Sequence, residues 1–165
     1  MNNLLKCSIL IICYIIFASL STPLKESIEV PYPEGYRNWM HVKSMIITDG
    51  DSRSDHFTGF HHIYANEKAM QGYSTGFFPD GSVIVADFLE MVTEKGVIEE
   101  GNRKFIDVMV KNDSLYQDTG GWGYGEFDAD SKEKRLVNLS QSVAKCFNCH
   151  LSKADQQYVF SSYRK

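Results

Sequence analysis

The sequence predicts an α+β domain in which a mainly antiparallel β-sheet carries a few short helices. Residues 59–65 (GFHHIYA) alternate aromatic and polar side chains, which is the period of a half-buried strand. Residues 82–92 and 104–111 are rich in β-branched and aromatic side chains, and the pair predicts a long antiparallel hairpin. Residues 120–127 (GGWGYGEF) alternate glycine with bulky side chains, which indicates a closely packed strand or a bulged edge.

Short helices and turns are expected between these strands. A helical turn or two is predicted at 34–40, and Asn66 can cap a helix that ends at Gly76. The connections are predicted at 48–56, at a Pro-Asp-Gly turn at 79–81, at a charged stretch at 93–102 and at a polar stretch at 132–145. A chain of 165 residues with 43% hydrophobic residues is large enough for one domain with its own core.

The first residues have the pattern of an export signal. A single positive charge at Lys6 precedes an apolar run at 7–20, and Ser19 and Ser21 stand at the −3 and −1 positions of a cleavage site. This pattern predicts a signal peptide at 1–21 and a periplasmic or otherwise exported domain at 22–165. The alternative is an uncleaved membrane anchor, although a run of about 14 residues is shorter than the roughly 20 that a transmembrane helix needs.

Charge and cysteine content exclude two classes of protein. The net charge is −4 and no lysine- or arginine-rich run occurs, so the sequence does not predict a nucleic-acid partner. Cleavage near Ser21 would leave Cys146 and Cys149 as the two cysteines of the domain. Two cysteines are too few for a disulfide-rich scaffold.

The motif Cys146-Phe-Asn-Cys149-His150 predicts attachment of one covalent haem c. Two thiols one helical turn apart can reach the two vinyl groups of one porphyrin, and the next histidine can act as the proximal iron ligand. Two alternatives remain. A zinc site would need a fourth ligand, and no second motif of the Cys-x-x-Cys or His-x-x-x-His kind supplies it. A redox dithiol would be expected in a βαβ setting, which the predicted antiparallel strands do not provide.

The late position of the motif narrows the type of cytochrome. No methionine, histidine or cysteine follows His150, so a sixth iron ligand would have to come from upstream. The period-two pattern of the upstream sequence argues against a four-helix-bundle cytochrome.

An ordered set of motifs resembles the cytochrome P460 family and its relative cytochrome c′-beta over most of residues 22–165. The stretches that carry the resemblance are GYRNW (35–39), FTGFHHIYAN (57–66), FPDGSVIVADF (78–88), FIDVMVKN (105–112), GGWGYGEF (120–127), CFNCH (146–150) and YVFSSYR (158–164). The resemblance implies a mainly antiparallel sheet that holds one c-type haem, a homodimer, and a five-coordinate iron that binds small ligands such as NO or CO. It also implies hydroxylamine oxidation in those members that carry a lysine cross-linked to the porphyrin.

The sequence departs from the family at that lysine. The matching position is Ala86, and no lysine stands between Lys68 and Lys95. Alanine cannot form the cross-link, so the chain is closer to the uncross-linked branch, and hydroxylamine oxidation is doubtful.

Three further residues are candidates for the distal side of the haem. Phe57 matches a family position near the distal pocket, with an ordinary core aromatic as the alternative. His61 matches a polar position and could hydrogen-bond a ligand or carry a proton, whereas His62 should point to the opposite face of a strand. Asp107 could accept a proton, with a solvent-facing strand position as the alternative.

Strand alternation places Ile84, Ala86 and Phe88 on one face, and an apolar pocket follows if that face meets the haem. His41 and His56 are predicted to lie at the surface. The methionines are predicted to fill the core rather than to bind iron.

The sequence therefore predicts an exported monohaem cytochrome whose open, apolar distal site binds NO or a similar small ligand. One alternative is a haem oxidoreductase that acts on hydroxylamine or another small nitrogen compound, with Asp107 and His61 as catalytic candidates. A second alternative is a six-coordinate electron carrier. Each of these functions would involve a redox partner protein that the sequence does not identify.

Overall fold

A computed structural model describes residues 29–48 and 55–164. Within these residues, five strands form one antiparallel sheet in the order β1-β2-β3-β4-β5. The strands are Met40–Ile47 (β1), Gly59–Ala65 (β2), Val83–Glu94 (β3), Val97–Lys111 (β4) and Trp122–Asp128 (β5). This architecture confirms the predicted α+β class. The predicted signal peptide at 1–21 lies outside the described residues.

Strand β1 was not predicted from the sequence. It pairs with β2 through Met40 opposite Ala65 and Ile47 opposite Gly59, and the register shifts between His41 and Lys43. The bulge interrupts the period-two pattern that would otherwise identify the strand. The polar loop predicted at 48–56 is described only in part, and a short 3-10 helix occupies Asp55–Phe57.

The β3–β4 hairpin is longer than expected. The charged connection predicted at 93–102 is wrong, because both strands continue to a two-residue turn at Lys95 and Gly96, with φ angles of 51° and 83°. Two positive φ angles define the tight turn whose twist matches a hairpin. The distal part of the hairpin is exposed on both faces, so its charged residues are solvated.

The predicted helix is present as Glu67–Thr75 (α1). Asn66 caps it, because its Oδ1 accepts hydrogen bonds from the backbone nitrogens of Ala69 and Val83 at 2.9 and 3.0 Å. Gly76 ends the helix at a φ of 80°, a conformation that costs glycine little. The 34–40 prediction is also confirmed as a 3-10 helix at Tyr36–Asn38.

The two faces of the sheet carry separate hydrophobic clusters. The face covered by α1 and the last part of the chain is called the C-terminal face; the face covered by residues 29–39 is called the N-terminal face. The C-terminal-face cluster includes Ile63, Ile84, Met109, Trp122 and Tyr124. The N-terminal-face cluster is Val30, Tyr36, Val85, Ile106, Val108 and Phe127.

A buried carboxylate ties the N-terminal face together. Asp87 has no exposed side-chain surface, and its Oδ1 accepts a 2.7 Å hydrogen bond from Arg103 Nε. Its Oδ2 accepts a 2.8 Å hydrogen bond from the Tyr36 hydroxyl, and Arg37 Nη1 lies 3.4 Å away. A buried charge needs such partners, so these contacts hold residues 29–39 against the sheet.

Candidate haem site

The cysteine motif lies in a helical segment at residues 139–156. Asn138 begins it with a reciprocal cap: its Oδ1 accepts from the Gln141 nitrogen and Gln141 Oε1 accepts from the Asn138 nitrogen, both at 3.0 Å. The turns at Ser142–Phe147 are π-helical, a form that is frequent at functional sites. Cys146 and Cys149 therefore stand about one helical turn apart.

His150 follows them with one ring nitrogen already engaged. Its Nδ1 lies 2.7 Å from the backbone oxygen of Tyr158, so Nδ1 carries the proton and donates it. The ring lies 4.9 Å from the ring of Tyr124 and 5.0 Å from that of Phe160. Burial lowers the pKa of His150, which keeps the imidazole neutral and leaves Nε2 with its lone pair. A metal-binding histidine is oriented in the same way by a hydrogen bond from its other nitrogen.

The helical segment packs on the C-terminal face of the sheet. Cys146 and Phe147 contact the cluster of that face, to which Ala86 and Tyr124 also belong. Cys149 is exposed. The motif therefore lies on this face next to β4 and β5, where Asp107 and Glu126 are close enough to act on the Cys146 thiol.

A row of side chains on this face runs across four strands. Ile63, Ala86, Asp107 and Glu126 are successive cross-strand partners from β2 to β5. Asp107 Oδ1 is buried and has no hydrogen-bond partner. Burial, followed by the charge of Glu126, raises the pKa of Asp107 well above its usual value. The Asp107 carboxyl group is therefore protonated more readily than an ordinary aspartate.

Glu126 connects this row to the surface. Its Oε1 lies 3.4 Å from Nε2 of His56, a half-exposed histidine. Burial raises the pKa of Glu126, and the nearby charges of His56 and Lys145 act in the opposite direction. His56, Glu126 and Asp107 thus form a path of titratable groups that leads from solvent to the interior of this face.

Aromatic rings line the sheet beside that row. Phe88 and Phe105 are stacked with centroids 4.3 Å apart, and the ring of Phe57 lies 5.7 Å from Phe88. His56 stacks on Phe105 at 4.2 Å. His61 contacts Phe88 at 4.2 Å and donates from Nε2 to the Phe57 oxygen at 2.5 Å. The surroundings of the carboxyl row are therefore apolar on this side.

The residues present fit a porphyrin with an axial imidazole. Buried polar atoms without a partner are rare in proteins. Besides Asp107 Oδ1, this face carries two of them, Tyr124 Oη and Trp122 Nε1. These three polar atoms could face the polar edge of a large bound group, and the apolar side chains around them could face the rest of it. The two thiols one turn apart and the imidazole Nε2 could attach such a group and bind its metal.

The two alternative readings of the cysteine motif fit less well. Burial, and then the charges of Asp107 and Glu126, raise the pKa of the Cys146 thiol to about 12. A redox-active dithiol depends instead on a lowered thiol pKa. Among the described residues, no group of three or more histidine, cysteine, aspartate or glutamate side chains is arranged to hold a metal ion such as zinc.

Comparison with known proteins decides the family. The family model described as Cytochrome P460 matches residues 33–161. The chain belongs to the cytochrome P460 family. It is thus a haem-binding cytochrome, and the match spans the sheet and the cysteine motif together. No curated protein matches the chain.

Within this cytochrome P460 fold, the structure brings most of the predicted site residues together. Phe57 and His61 lie side by side, and Ala86 is the direct cross-strand partner of Asp107.

His62 lies on the opposite face from His61, as strand alternation predicted. His56 was expected at the surface and is exposed, yet its ring also packs on Phe105. The functional roles of these residues remain predictions.

Sequence reasoning missed Glu126 and Tyr124 as site residues. Both belong to the GGWGYGEF stretch, whose alternation places Tyr124 and Glu126 on one face and Gly123 and Gly125 on the other. The alternation shows that Tyr124 and Glu126 share a face. It does not show that the cysteine motif packs on that face, because the motif is distant in sequence.

Among the described residues, no helix is long and apolar enough to cross a membrane.

Proposed function

We propose that this protein is an exported c-type cytochrome that binds NO or a similar diatomic ligand. Cys146 and Cys149 hold one haem through thioether bonds, and His150 binds its iron through Nε2. When bound, the haem iron supplies a coordination position for a small ligand and a one-electron redox couple. The observation that carries the proposal is the hydrogen bond from His150 Nδ1 to the Tyr158 oxygen, which leaves Nε2 available directly after two suitably spaced thiols.

The side chains on the sheet support a ligand site of low polarity. Ala86 is small, and Phe57, Phe88 and Phe105 exclude water from the neighbouring surface. A neutral diatomic ligand loses little hydration on entering such a site, whereas a charged one loses much. His61 donates to the Phe57 oxygen, so its ring is held beside the site rather than across it.

Absorption spectra of the purified protein test the ligand site. We expect a high-spin ferrous spectrum after dithionite reduction that changes promptly on addition of CO or NO. A low-spin spectrum that ignores both gases would instead indicate a sixth protein ligand and an electron carrier. Met45, Met70 and Met109 lie on the C-terminal face and would then be the residues to replace.

Replacement of both cysteines tests covalent attachment. We expect Cys146→Ala/Cys149→Ala to lose haem under denaturing conditions, because both thioether bonds are removed. Asn148→Ala is the matched control, since Asn148 is an exposed residue between the two thiols. Haem that stays attached to the denatured double variant would overturn the assignment.

A haem oxidoreductase is the second candidate function. Oxidation of a small nitrogen compound such as hydroxylamine releases protons and passes electrons to a partner protein. The path formed by His56, Glu126 and Asp107 favours this function, because it can accept protons beside an apolar site and deliver them to solvent. Ala86 counts against a porphyrin cross-link. Turnover of hydroxylamine with an artificial electron acceptor, lost in Asp107→Asn, would support the enzyme, and no turnover would exclude it.

We also propose export through the signal peptide at 1–21, interaction with a redox partner protein and assembly as a homodimer. Sedimentation of the secreted protein would measure its oligomeric state. Mass spectrometry of the N-terminus would test cleavage near Ser21, because an uncleaved chain retains the mass of residues 1–21.

A further inference from the structure

A second cluster of reactive groups lies on the N-terminal face, on the other side of the sheet from the haem site. Ser44 of β1 is directly opposite His62 of β2, and both side chains point to this face. Ser44 Oγ lies 2.6 Å from His62 Nδ1. Glu100 Oε1, from β4, lies 2.8 Å from His62 Nε2. A hydroxyl, an imidazole and a carboxylate thus occur in the order of a nucleophile, a base and an orienting acid.

We propose that Ser44, His62 and Glu100 form a serine-nucleophile site that transfers the acyl group of small carboxylic esters. A nucleophile is recognised by a base within about 2.6–3.2 Å whose other nitrogen faces a third, orienting group. The hydrogen bond between Ser44 Oγ and His62 Nδ1 meets this distance, and the Glu100 carboxylate lies beside the other nitrogen as an ion-pair partner. The proposal is independent of the haem function, because its residues lie on the opposite face.

The proton positions in the cluster are mutually consistent. The carboxylate of Glu100 favours a proton on His62 Nε2, so His62 Nδ1 accepts the hydrogen bond from the Ser44 hydroxyl. Ser44 Oγ then accepts from His41 Nε2, which lies 2.8 Å away. This hydrogen bond fixes the Ser44 hydroxyl between the two imidazoles, with its own proton directed at His62 Nδ1.

Glu100 is a positioning residue rather than a group that touches the substrate. Its side chain is 45% exposed, and its carboxylate approaches His62 Nε2 outside hydrogen-bond alignment. Arg37 Nη2 lies 4.0 Å from its second oxygen. Glu100 therefore acts on His62 through its charge.

The surroundings indicate the substrate class. Ser44 is exposed and β1 is an edge strand among the described residues, so a substrate can approach from solvent. The ring of Phe60 is stacked 5.8 Å from that of His62, and Tyr64 lies 5.7 Å from His41. Ile46 is an exposed apolar neighbour on the same strand face. An ester of an aromatic alcohol with a short acyl group fits these surfaces.

The reaction balances without a further reactant besides water. Ser44 Oγ bonds to the acyl carbon, the hydroxyl proton passes to His62 Nδ1, and the departing aryloxide takes that proton. Water then attacks the acyl-serine with the same base, which releases the carboxylic acid and restores the hydroxyl group.

A fluorophosphonate probe applied to the purified holoprotein tests the nucleophile. Peptide mapping should place the label on Ser44, and Ser44→Ala should lose it. Ser114→Ala is the matched control, because the Ser114 hydroxyl is exposed but bonds to Asn112 Oδ1 instead of an imidazole. A label on another residue, or no label on the wild-type protein, would overturn the proposal.

Hydrolysis of 4-nitrophenyl acetate tests the base and the positioning residue. We expect His62→Gln to lower kcat about 100-fold, the lower range for loss of a general base. Glu100→Gln should lower kcat without changing KM, and Glu100→Asp should restore part of the rate. The haem absorption spectrum reports the fold of every variant. Wild-type rates in folded Ser44→Ala or His62→Gln would contradict the assignment.

Discussion

The imidazole of His150 and the backbone oxygen of Tyr158 are joined by a 2.7 Å hydrogen bond. The bond links the cysteine motif to the segment that returns over the C-terminal face of the sheet. Tyr158, whose carbonyl accepts the hydrogen bond, has a φ of 65°, a conformation that non-glycine residues adopt rarely. The chain thus adopts an uncommon backbone angle at the position that orients the proposed iron ligand.

Removal of the His150 imidazole should separate haem attachment from iron ligation. We expect His150→Gly to keep its covalent haem through Cys146 and Cys149 but to lose the proximal nitrogen. Added imidazole should restore the wild-type absorption spectrum, because it can occupy the position of the deleted ring. His41→Gly, on the opposite face, should keep the wild-type spectrum without imidazole. A His150→Gly spectrum identical to wild type would show that another residue binds the iron.

An amine introduced at Ala86 should react differently from an amide of similar length. Ala86 lies directly opposite Asp107 on the C-terminal face. The family resemblance described above implies that a cross-linking lysine would stand at this position. We expect Ala86→Lys to shift the ferrous Soret band to longer wavelength only if the amine reaches the porphyrin ring. Ala86→Gln is the control and should leave the band in place. Equal spectra for both variants would place Ala86 away from the porphyrin edge.

The raised pKa of Asp107 predicts how the free energy of unfolding depends on pH. The folded protein holds this proton more tightly than the unfolded chain, so the contribution of Asp107 to stability is fully present below the usual aspartate pKa of 3.8. This contribution is then lost as the pH rises toward the folded pKa of Asp107, by up to about 1.4 kcal/mol per pH unit.

Urea unfolding across this pH range measures the effect. Asp107→Asn should flatten the fall, whereas Asp155→Asn, at an exposed carboxylate, should leave it unchanged. Glu126 also has a raised pKa and contributes with the same sign, so a smaller slope should remain in Asp107→Asn. A wild-type slope in Asp107→Asn would show that Asp107 ionises normally in the folded protein.

Asp87 should be far more important for stability than Asp130, although both contact Arg103. Asp87 is fully buried between Arg103 and Tyr36, whereas the Asp130 side chain is 79% exposed. Loss of one partner of a buried pair leaves an uncompensated charge, so Asp87→Ala should cost about 3–5 kcal/mol. Asp130→Ala should cost less than about 1 kcal/mol. Equal losses in thermal or urea unfolding would contradict this difference in burial.

Local patterns were sufficient to predict most of the sheet and the helix. Alternation identified residues 59–65, and the cap at Asn66 with Gly76 identified α1, because both signals depend on neighbours in sequence. Strand β1 was missed because its bulge breaks the alternation. The end of the β3–β4 hairpin was mistaken for a connection, because its side chains are exposed on both faces and so carry no hydrophobic period.

The part of the candidate site that could be predicted is the part whose residues are close together in the sequence. Cys146, Cys149 and His150 form such a motif. The approach of His56 to Glu126 joins residues that are 70 positions apart, and the pairing of Asp107 with Glu126 depends on the register of two strands. Neither a spacing nor a composition specifies these contacts, so only the folded chain shows that the carboxyl row reaches the surface.

The order of the strands bears on how the protein acquires its cofactor. Each strand pairs with the next one along the chain, so the sheet contains only neighbouring hairpins and short loop closures, which favour rapid folding. The two thiols follow all five strands in the chain. If haem is attached to these thiols as proposed, the sheet can therefore form before the segment with Cys146 and Cys149 has been synthesised, and attachment would take place on a preassembled surface. A mutation that delays β3–β4 pairing should then reduce the yield of holoprotein even where the final fold is stable.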